Sequence, residues 1–302
     1  MKRRDLLIFA IAVTLPWFFR APASAEKPLV ACVSVLPQKY FVERIAGNQA
    51  EVMVMVEPGA VPHTYEPTPR QMAALSKAAV YFSIGVPFED AWLPKIRKTH
   101  PSLSVVPTDA GIAKLPMRDA YDQRHAGDGS AESRGEDHEH GVLDPHIWLS
   151  PPLVMLQARH ILTGLLAVDP DGTAEYEANY KRFIVELVDL DGEIRSLLRK
   201  RNGNRFLVFH PAWGYFADAY GLEQISVEVE GKEPKASQLQ DLIRGSREAG
   251  FPVIFVQPQF SARSAEVVAK AVGARLVEAD PLAADWAENL RRFAIELQAA
   301  LK

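Results

Sequence analysis

Apolar residues follow two periods along this chain. Short β-rich runs stand at residues 29–36 (LVACVSVL), 51–56 (EVMVMV), 79–85 (AVYFSIG), 205–210 (RFLVFH) and 252–257 (PVIFVQ), with a weaker one at 275–280 (RLVEAD). Between them, residues 40–47, 68–78, 152–168, 237–250 and 264–273 space their apolar side chains as helices do. Strands alternating with helices at this density predict an α/β protein whose parallel sheets are flanked by helices.

One segment breaks the alternation. From Thr173 to about Arg201 there is neither proline nor a strand-like run, and Tyr176, Tyr180, Phe183, Leu187, Leu190, Ile194 and Leu197 recur at steps of four and three. That is one apolar stripe on a helix roughly 40 Å long at 1.5 Å per residue, started by Pro170, Asp171, Gly172 and Thr173. A coiled-coil partner helix is the alternative. The preferred expectation is a strut across two lobes, with residues 26–170 as an N-terminal α/β lobe, 171–201 as the linking helix and 202–302 as a C-terminal α/β lobe.

The first 25 residues read as something removed before folding. MKRRD is basic, LLIFAIAVTLPWFF is apolar, and APASA ends in the small-x-small pattern of a signal peptidase site, so cleavage after Ala25 and a periplasmic location are expected. The apolar run, broken by Pro16, is short for a membrane anchor, and Arg3-Arg4 leave Sec or Tat export open. LVAC at 29–32 resembles a lipoprotein cleavage box but lies too far past the apolar run; it reads as a buried strand.

Composition narrows the picture further. Cys32 is the only cysteine, so no internal disulfide supports the fold. Losing Lys2, Arg3, Arg4 and Arg20 with Asp5 moves the net charge from −4 to −7, which argues against a nucleic-acid partner. Residues 118–141 are charged, glycine-rich and almost free of aliphatic side chains, and are expected to form a flexible loop carrying His125, His138 and His140. Those histidines could bind a second metal weakly; a solvated linker is the equal alternative.

Three further histidines have proline- or aromatic-rich neighbours beside expected strand ends: His63 in EPGAVPHTYEPTP, His146 in LDPHIWLSP and His210 in RFLVFHPAWGYF. Asp280 in LVEADPLA also follows a strand. Three neutral imidazoles and one carboxylate suit tetrahedral zinc, and loops at the carboxyl ends of parallel strands meet in one crevice. On this arrangement His63 and His146 come from the first lobe and His210 and Asp280 from the second. Taken singly, a histidine beside proline is more often a hydrogen-bonded loop residue than a metal ligand. Glu66 and Asp144 are candidates to orient a ligand imidazole or to cap a turn. Trp148, Trp213, Phe216 and Tyr220 are expected around the site, Glu89 and Trp92 as packing and helix-start residues, and His100 and His160 elsewhere.

The phrases PHTYEPTPRQ, AAVYFSIGVPFEDAWLPKI, LDPHIWLSP, VFHPAWGYFADAYGL and FVQPQFSARSAEVVAKAVGARLVEADPLA resemble, in order, the metal-binding proteins of bacterial ABC importers for zinc and manganese. The likeness runs from about Pro28 to the C-terminus and is greatest for the high-affinity zinc-uptake branch. It implies that His63, His146 and His210 fall on three ligand positions and Asp280 on an acidic fourth. Manganese-binding relatives usually carry glutamate at the third position, so His210 favours zinc. Gln257 stands where many relatives have glutamate, and the loop holds fewer histidines than some members.

The resemblance therefore implies a monomeric extracytoplasmic receptor, not an enzyme, that captures Zn2+ between its lobes and delivers it to an inner-membrane ABC permease with its ATPase. The long helix implies a small tilt on binding rather than wide closure. A manganese or iron receptor of the same family is the alternative, and an adhesin or metal-storage role another. A zinc hydrolase ranks last, since no H-E-x-x-H, nucleophile elbow or phosphate loop occurs.

Overall fold

The computed structural model describes residues 28–117, 143–228, 236–260 and 262–301. The expected signal segment 1–25 and the loop 118–141 lie outside them. Strands β1 (Leu29–Val33), β2 (Ala50–Val54), β3 (Val80–Ser83) and β4 (Ser104–Pro107) form one sheet in the order β2-β1-β3-β4. Strands β5 (Arg205–Val208), β6 (Glu223–Ser226), β7 (Val253–Val256) and β8 (Arg275–Glu278) form a second in the order β6-β5-β7-β8. Every pairing is parallel. Both sheets therefore have the same winding, with the first strand of each half inside and the second at an edge.

Six of the eight strands lie within the β-rich runs. The other two, β4 (SVVP) and β6 (EQIS), carry too few apolar side chains for a period-2 signal, whereas the remaining edge strands β2 and β8 carry enough to be read. Helices α1 (Leu36–Ala46), α2 (Pro69–Ala74), α3 (Pro87–Thr99) and α4 (Pro151–Val168) accompany the first sheet; α6 (Gly214–Tyr220), α7 (Ala236–Ala249), α8 (Ala262–Val272) and α9 (Trp286–Ala300) accompany the second. The expected segments did not include α3, α6 or α9. Pro94 interrupts the pattern of α3 and α6 has seven residues, but Trp286, Leu290, Phe293, Ala294 and Leu297 give α9 a legible stripe.

Between the sheets runs α5 (Thr173–Leu198), 26 residues long, preceded by a tight turn at Pro170–Gly172. Tyr176, Phe183, Leu187, Leu190 and Ile194 are buried, as the stripe requires, and each fully buried Leu or Phe contributes roughly 1.5–3 kcal/mol. The helix packs on α1 and α4 of the first lobe and on α9 of the second. Its apolar face thus lies under both lobes, and a single core runs through them. Trp286 meets Phe41 edge-on at 4.9 Å, Phe41 lies 6.1 Å from Phe183, and Phe293 stacks on Trp213 at 3.6 Å.

The second sheet is buried on both faces. Phe206, Val208, Val253 and Phe255 join the shared core, while Leu207, Phe209, Ile225 and Ile254 meet a separate layer that includes Leu242, Ala265 and Val268 of α7 and α8. In the first lobe, Glu89 in the opening turn of α3 accepts the Ile84 and Gly85 amides and the Ser34 hydroxyl, joining the ends of β1 and β3. Burial pushes its carboxyl up to about 7. Helix α4 is long and apolar enough to cross a membrane by length and composition, but here it packs on α1, α5, β3 and β4.

Two glycines in long helices should respond oppositely to the same substitution. At Gly164 in α4 a Cβ would lie 2.6 Å from Phe82 Cε1 and 3.0 Å from Val106 Cγ2, whereas at Gly192 in α5 nothing lies within 4 Å. Alanine gains about 1 kcal/mol of helix propensity at either site, but overpacking against the buried Phe82 ring costs roughly 1–3 kcal/mol. Urea unfolding should show Gly192→Ala raising the midpoint and Gly164→Ala lowering it; the same direction for both would contradict this packing.

Candidate metal centre

Each half of the fold delivers polar side chains from loops at the carboxyl ends of its strands. His63 sits in a turn at Pro62–Thr64 after β2, and His146 precedes a turn at Ile147–Leu149. His210 lies two residues beyond β5. The three rings form a nearly equilateral triangle, with centroids 5.4 Å apart for 63–146, 5.2 Å for 63–210 and 5.4 Å for 146–210. One ring nitrogen from each lies within 4.8 Å of the other two.

Two of the imidazoles have an acid behind them. Asp144 Oδ1 accepts both the backbone N–H of His146, at 2.9 Å, and its Nδ1, at 2.7 Å. Glu228 Oε2 stands 2.6 Å from His210 Nδ1. A carboxylate only accepts, so Nδ1 carries the proton and Nε2 keeps its lone pair. His63 Nε2 is buried without a hydrogen-bond partner, a costly state for a polar atom that a cation would relieve. Among the candidate orienting acids, Asp144 makes such a contact; Glu66 is exposed and is not among the hydrogen-bond partners of these rings. Glu228 was not among the residues singled out, because nothing in SVEVEG marks one of its acids as facing a histidine 18 residues earlier.

Burial dominates the titration of this cluster. It lowers His63 to about 3, helped by the neighbouring imidazoles, which would be like charges if protonated. It lowers His146 well below the usual imidazole value, with His210 adding to the effect, and raises Asp144 to about 7. His63 and His146 are therefore held neutral, the state in which imidazole binds a metal.

The remaining walls come from both lobes. Val61, Pro62, Trp148, Gln259, Phe260, Pro281 and Leu282 enclose, with the three histidines, a cavity of about 20 Å³. That volume holds one water or a bare ion. Phe260 stacks on His210 at 4.8 Å, and Trp148 lies 5.1 Å from His146. Trp213, Phe216 and Tyr220 do not line this cavity; Trp213 and Phe216 pack on Phe293, and the Tyr220 hydroxyl donates to Asp191. His160 lies against the Ala110 carbonyl and His100 caps α3, both outside the triangle.

Asp280 follows β8 on the rim but stands outside the group of three. Its Oδ1 accepts Gln259 Nε2 at 2.7 Å and the Leu282 amide at 2.9 Å. His125, His138 and His140 lie outside the described residues. Across the cleft, Trp148 Nε1 donates to Pro281 O and Trp286 Nε1 to Trp148 O, each at 2.7 Å, and Tyr215 Oη donates to Asp144 O at 2.8 Å. These bonds tie the His146 loop to the second lobe.

Gln257 shows why an amide suits its position. Its Oε1 accepts the His210 N–H at 3.2 Å and its Nε2 donates to the His210 carbonyl at 2.8 Å. An ionised glutamate accepts but cannot donate, and at 2% exposure it would be poorly solvated. Burial raises a carboxyl pKa, so the stability of Gln257→Glu should be fully present at low pH and lost as pH rises through that raised value. Denaturant unfolding at pH 5 and pH 8 should show a deficit relative to the parent that grows to about 1–3 kcal/mol at pH 8; a deficit that shrinks would refute the reciprocal pair.

The sequence profile of the family described as ZnuA, zinc-uptake complex component A periplasmic, matches residues 32–300. A high-affinity zinc uptake system protein ZnuA of Bacillus subtilis is 28% identical over 79% of this chain and 74% of its own length. A zinc-binding protein AdcA of Streptococcus pyogenes is 26% identical over 93% of this chain, which spans only 56% of that longer protein. The zinc-bound crystal structure of a ZnuA lacking residues 138–173 superposes with a TM-score of 0.81 at 40% identity, covering 91% of this chain and 98% of the other. With a match along nearly its whole described length, this chain belongs to the zinc-uptake complex component A family.

Proposed function

We propose that this protein is the extracytoplasmic zinc receptor of an ABC importer, binding Zn2+ through His63, His146 and His210 and handing it to an inner-membrane permease driven by its ATPase. The observation that carries this reading is the triangle of three imidazoles, two of them backed by acids, around a cavity the size of an ion. Zinc takes imidazole nitrogen in tetrahedral sites, and a fourth, oxygen donor would come from the side of the cavity where Asp280 and Gln259 stand. An all-imidazole triad favours zinc over manganese, which prefers harder oxygen donors. In this reading residues 1–25 direct export, 26–170 and 202–302 form the lobes, 171–201 link them, and the receptor works as a monomer.

The chemistry follows from the protonation states. His146 and His210 present Nε2 lone pairs because Asp144 and Glu228 take the Nδ1 protons, and the acids add negative charge just behind the ligands. His63 needs no proton removed, and its unpaired nitrogen gains a partner on binding.

Competition titration of the mature chain with a zinc chelator tests this directly. Single substitutions His63→Ala, His146→Ala and His210→Ala should each weaken zinc by several orders of magnitude. Asp144→Asn and Glu228→Gln should each weaken it about 10–100-fold. Unchanged affinity in the three histidine variants would end the proposal. The pH profile offers an independent check. His63 and His146 are depressed well below 6.5, so neither competes for protons between pH 6 and 5. The Asp144 carboxyl, raised to about 7, gives up a proton on binding in this range. The logarithm of the apparent affinity should then fall by no more than about two per pH unit there, where three ordinary imidazoles with that carboxyl would approach four.

A further inference from the structure

Gln259 lies between the two parts of the site, and both ends of its amide matter. Its Nε2 donates to Asp280 Oδ1 at 2.7 Å, while its Oε1 is buried and has no hydrogen-bond partner. The orientation is fixed by chemistry: a carboxylate offers no proton, so only the NH2 end of the amide can face Asp280. The carbonyl oxygen then belongs to the other side of a residue that lines the histidine cavity. A buried carbonyl left unpaired costs about 1–3 kcal/mol, and the other orphaned polar atom in this cavity is His63 Nε2. One orphan is a lone-pair nitrogen and the other an oxygen acceptor. An ion carrying a water satisfies both.

Asp280 is held firmly where it is. Besides the Gln259 contact, its Oδ1 accepts the Leu282 amide at 2.9 Å, and its backbone carbonyl accepts Asn289 Nδ2 at 2.7 Å from the first turn of α9. Both contacts fall on Oδ1, and among the described residues the group within 4.8 Å formed by the three imidazoles includes no Asp280 oxygen.

We propose that Gln259 decides what fills the fourth position of the bound ion: its NH2 group keeps Asp280 out of the coordination shell, and its carbonyl oxygen accepts a hydrogen bond from the water that takes the place instead. This rests on the zinc-site reading above and adds a positioning residue to it. It also gives Gln259 a part in selectivity. A carboxylate is a hard, anionic oxygen donor of the kind manganese prefers, so excluding Asp280 disfavours manganese relative to zinc.

A double-mutant cycle on the full mature chain tests the proposal, read by zinc titration and by the visible band of Co2+ bound in place of zinc. In the parent, Asp280→Asn should lower affinity only through the lost distant charge and leave the Co2+ band unmoved, because that band reports direct ligands. In Gln259→Leu the carboxylate is released to bind the ion: the Co2+ band should shift, manganese should gain on zinc, and adding Asp280→Asn should return the band towards the parent. The zinc penalty of Asp280→Asn should be at least about tenfold larger in the Gln259→Leu background. A merely structural contact predicts the reverse, a smaller penalty once its partner is gone. A Co2+ band that moves with Asp280→Asn alone would show Asp280 already on the ion and overturn the proposal, and this arm needs no Gln259 variant to fold. Failure of the parent to bind zinc or Co2+ at all would instead sink the underlying zinc-site reading.

Discussion

Three imidazoles can share one small buried space only while none of them is protonated. The triangle is 5.2–5.4 Å on a side, and two charged rings at that separation, out of water, would repel strongly. Desolvation holds His63 and His146 neutral, and the acids behind His146 and His210 fix which nitrogen keeps its lone pair. That protonation state sets the terms for the surrounding loops. Asp144 must be close enough to take two hydrogen bonds from one residue, so the chain turns tightly from Asp144 through His146 into the Ile147–Leu149 turn. Gln257 must meet both backbone groups of His210, so the end of β7 lies against the end of β5.

The topology makes this convergence inexpensive in the second lobe. His210, Glu228, Gln257 with Gln259, and Asp280 follow β5, β6, β7 and β8 in turn, and parallel pairing puts all four strand ends on one edge. The first lobe supplies His63 beyond β2 and His146 after a long excursion from β4. Positional accuracy across the cleft then depends on the lobes not drifting. The continuous core from Phe41 through Phe183 and Trp286, together with the reciprocal indole bonds of Trp148 and Trp286, supplies that constraint.

Much of this was legible in the sequence, for identifiable reasons. Buried central strands and the 26-residue strut leave period-2 and period-3.6 signals because packing demands them. Strands β4 and β6 leave little, since SVVP and EQIS hold few apolar side chains to alternate. His63, His146 and His210 were readable from their phrases and their family resemblance. Glu228, Gln257 and Gln259 act through contacts 18 to 47 residues away, or through an amide's two-ended hydrogen bonding. No local pattern encodes such pairings. Asp280 shows the limit most clearly: its position after a strand marks it as belonging to the crevice, but the hydrogen bond it accepts from Gln259, 21 residues earlier, follows from no spacing rule.

Electrostatics explains why a site built this way holds a dication without carboxylates in the triangle itself. Asp144 and Glu228 each stand one imidazole away from the shared centre, so their charge acts through a polarisable ring. Burial raises Asp144 to about 7 in the chain alone, which marks its ionised form as poorly satisfied. A dication nearby would favour that ionised form, so filling the site relieves the acid as well as the orphaned His63 nitrogen. Two of the three ring positions belong to the first lobe and one to the second. A relative displacement of the lobes by even a fraction of an ångström would spread the triangle and weaken every one of these interactions together. Holding and letting go then differ by a small mechanical step, which suits a protein that must do both.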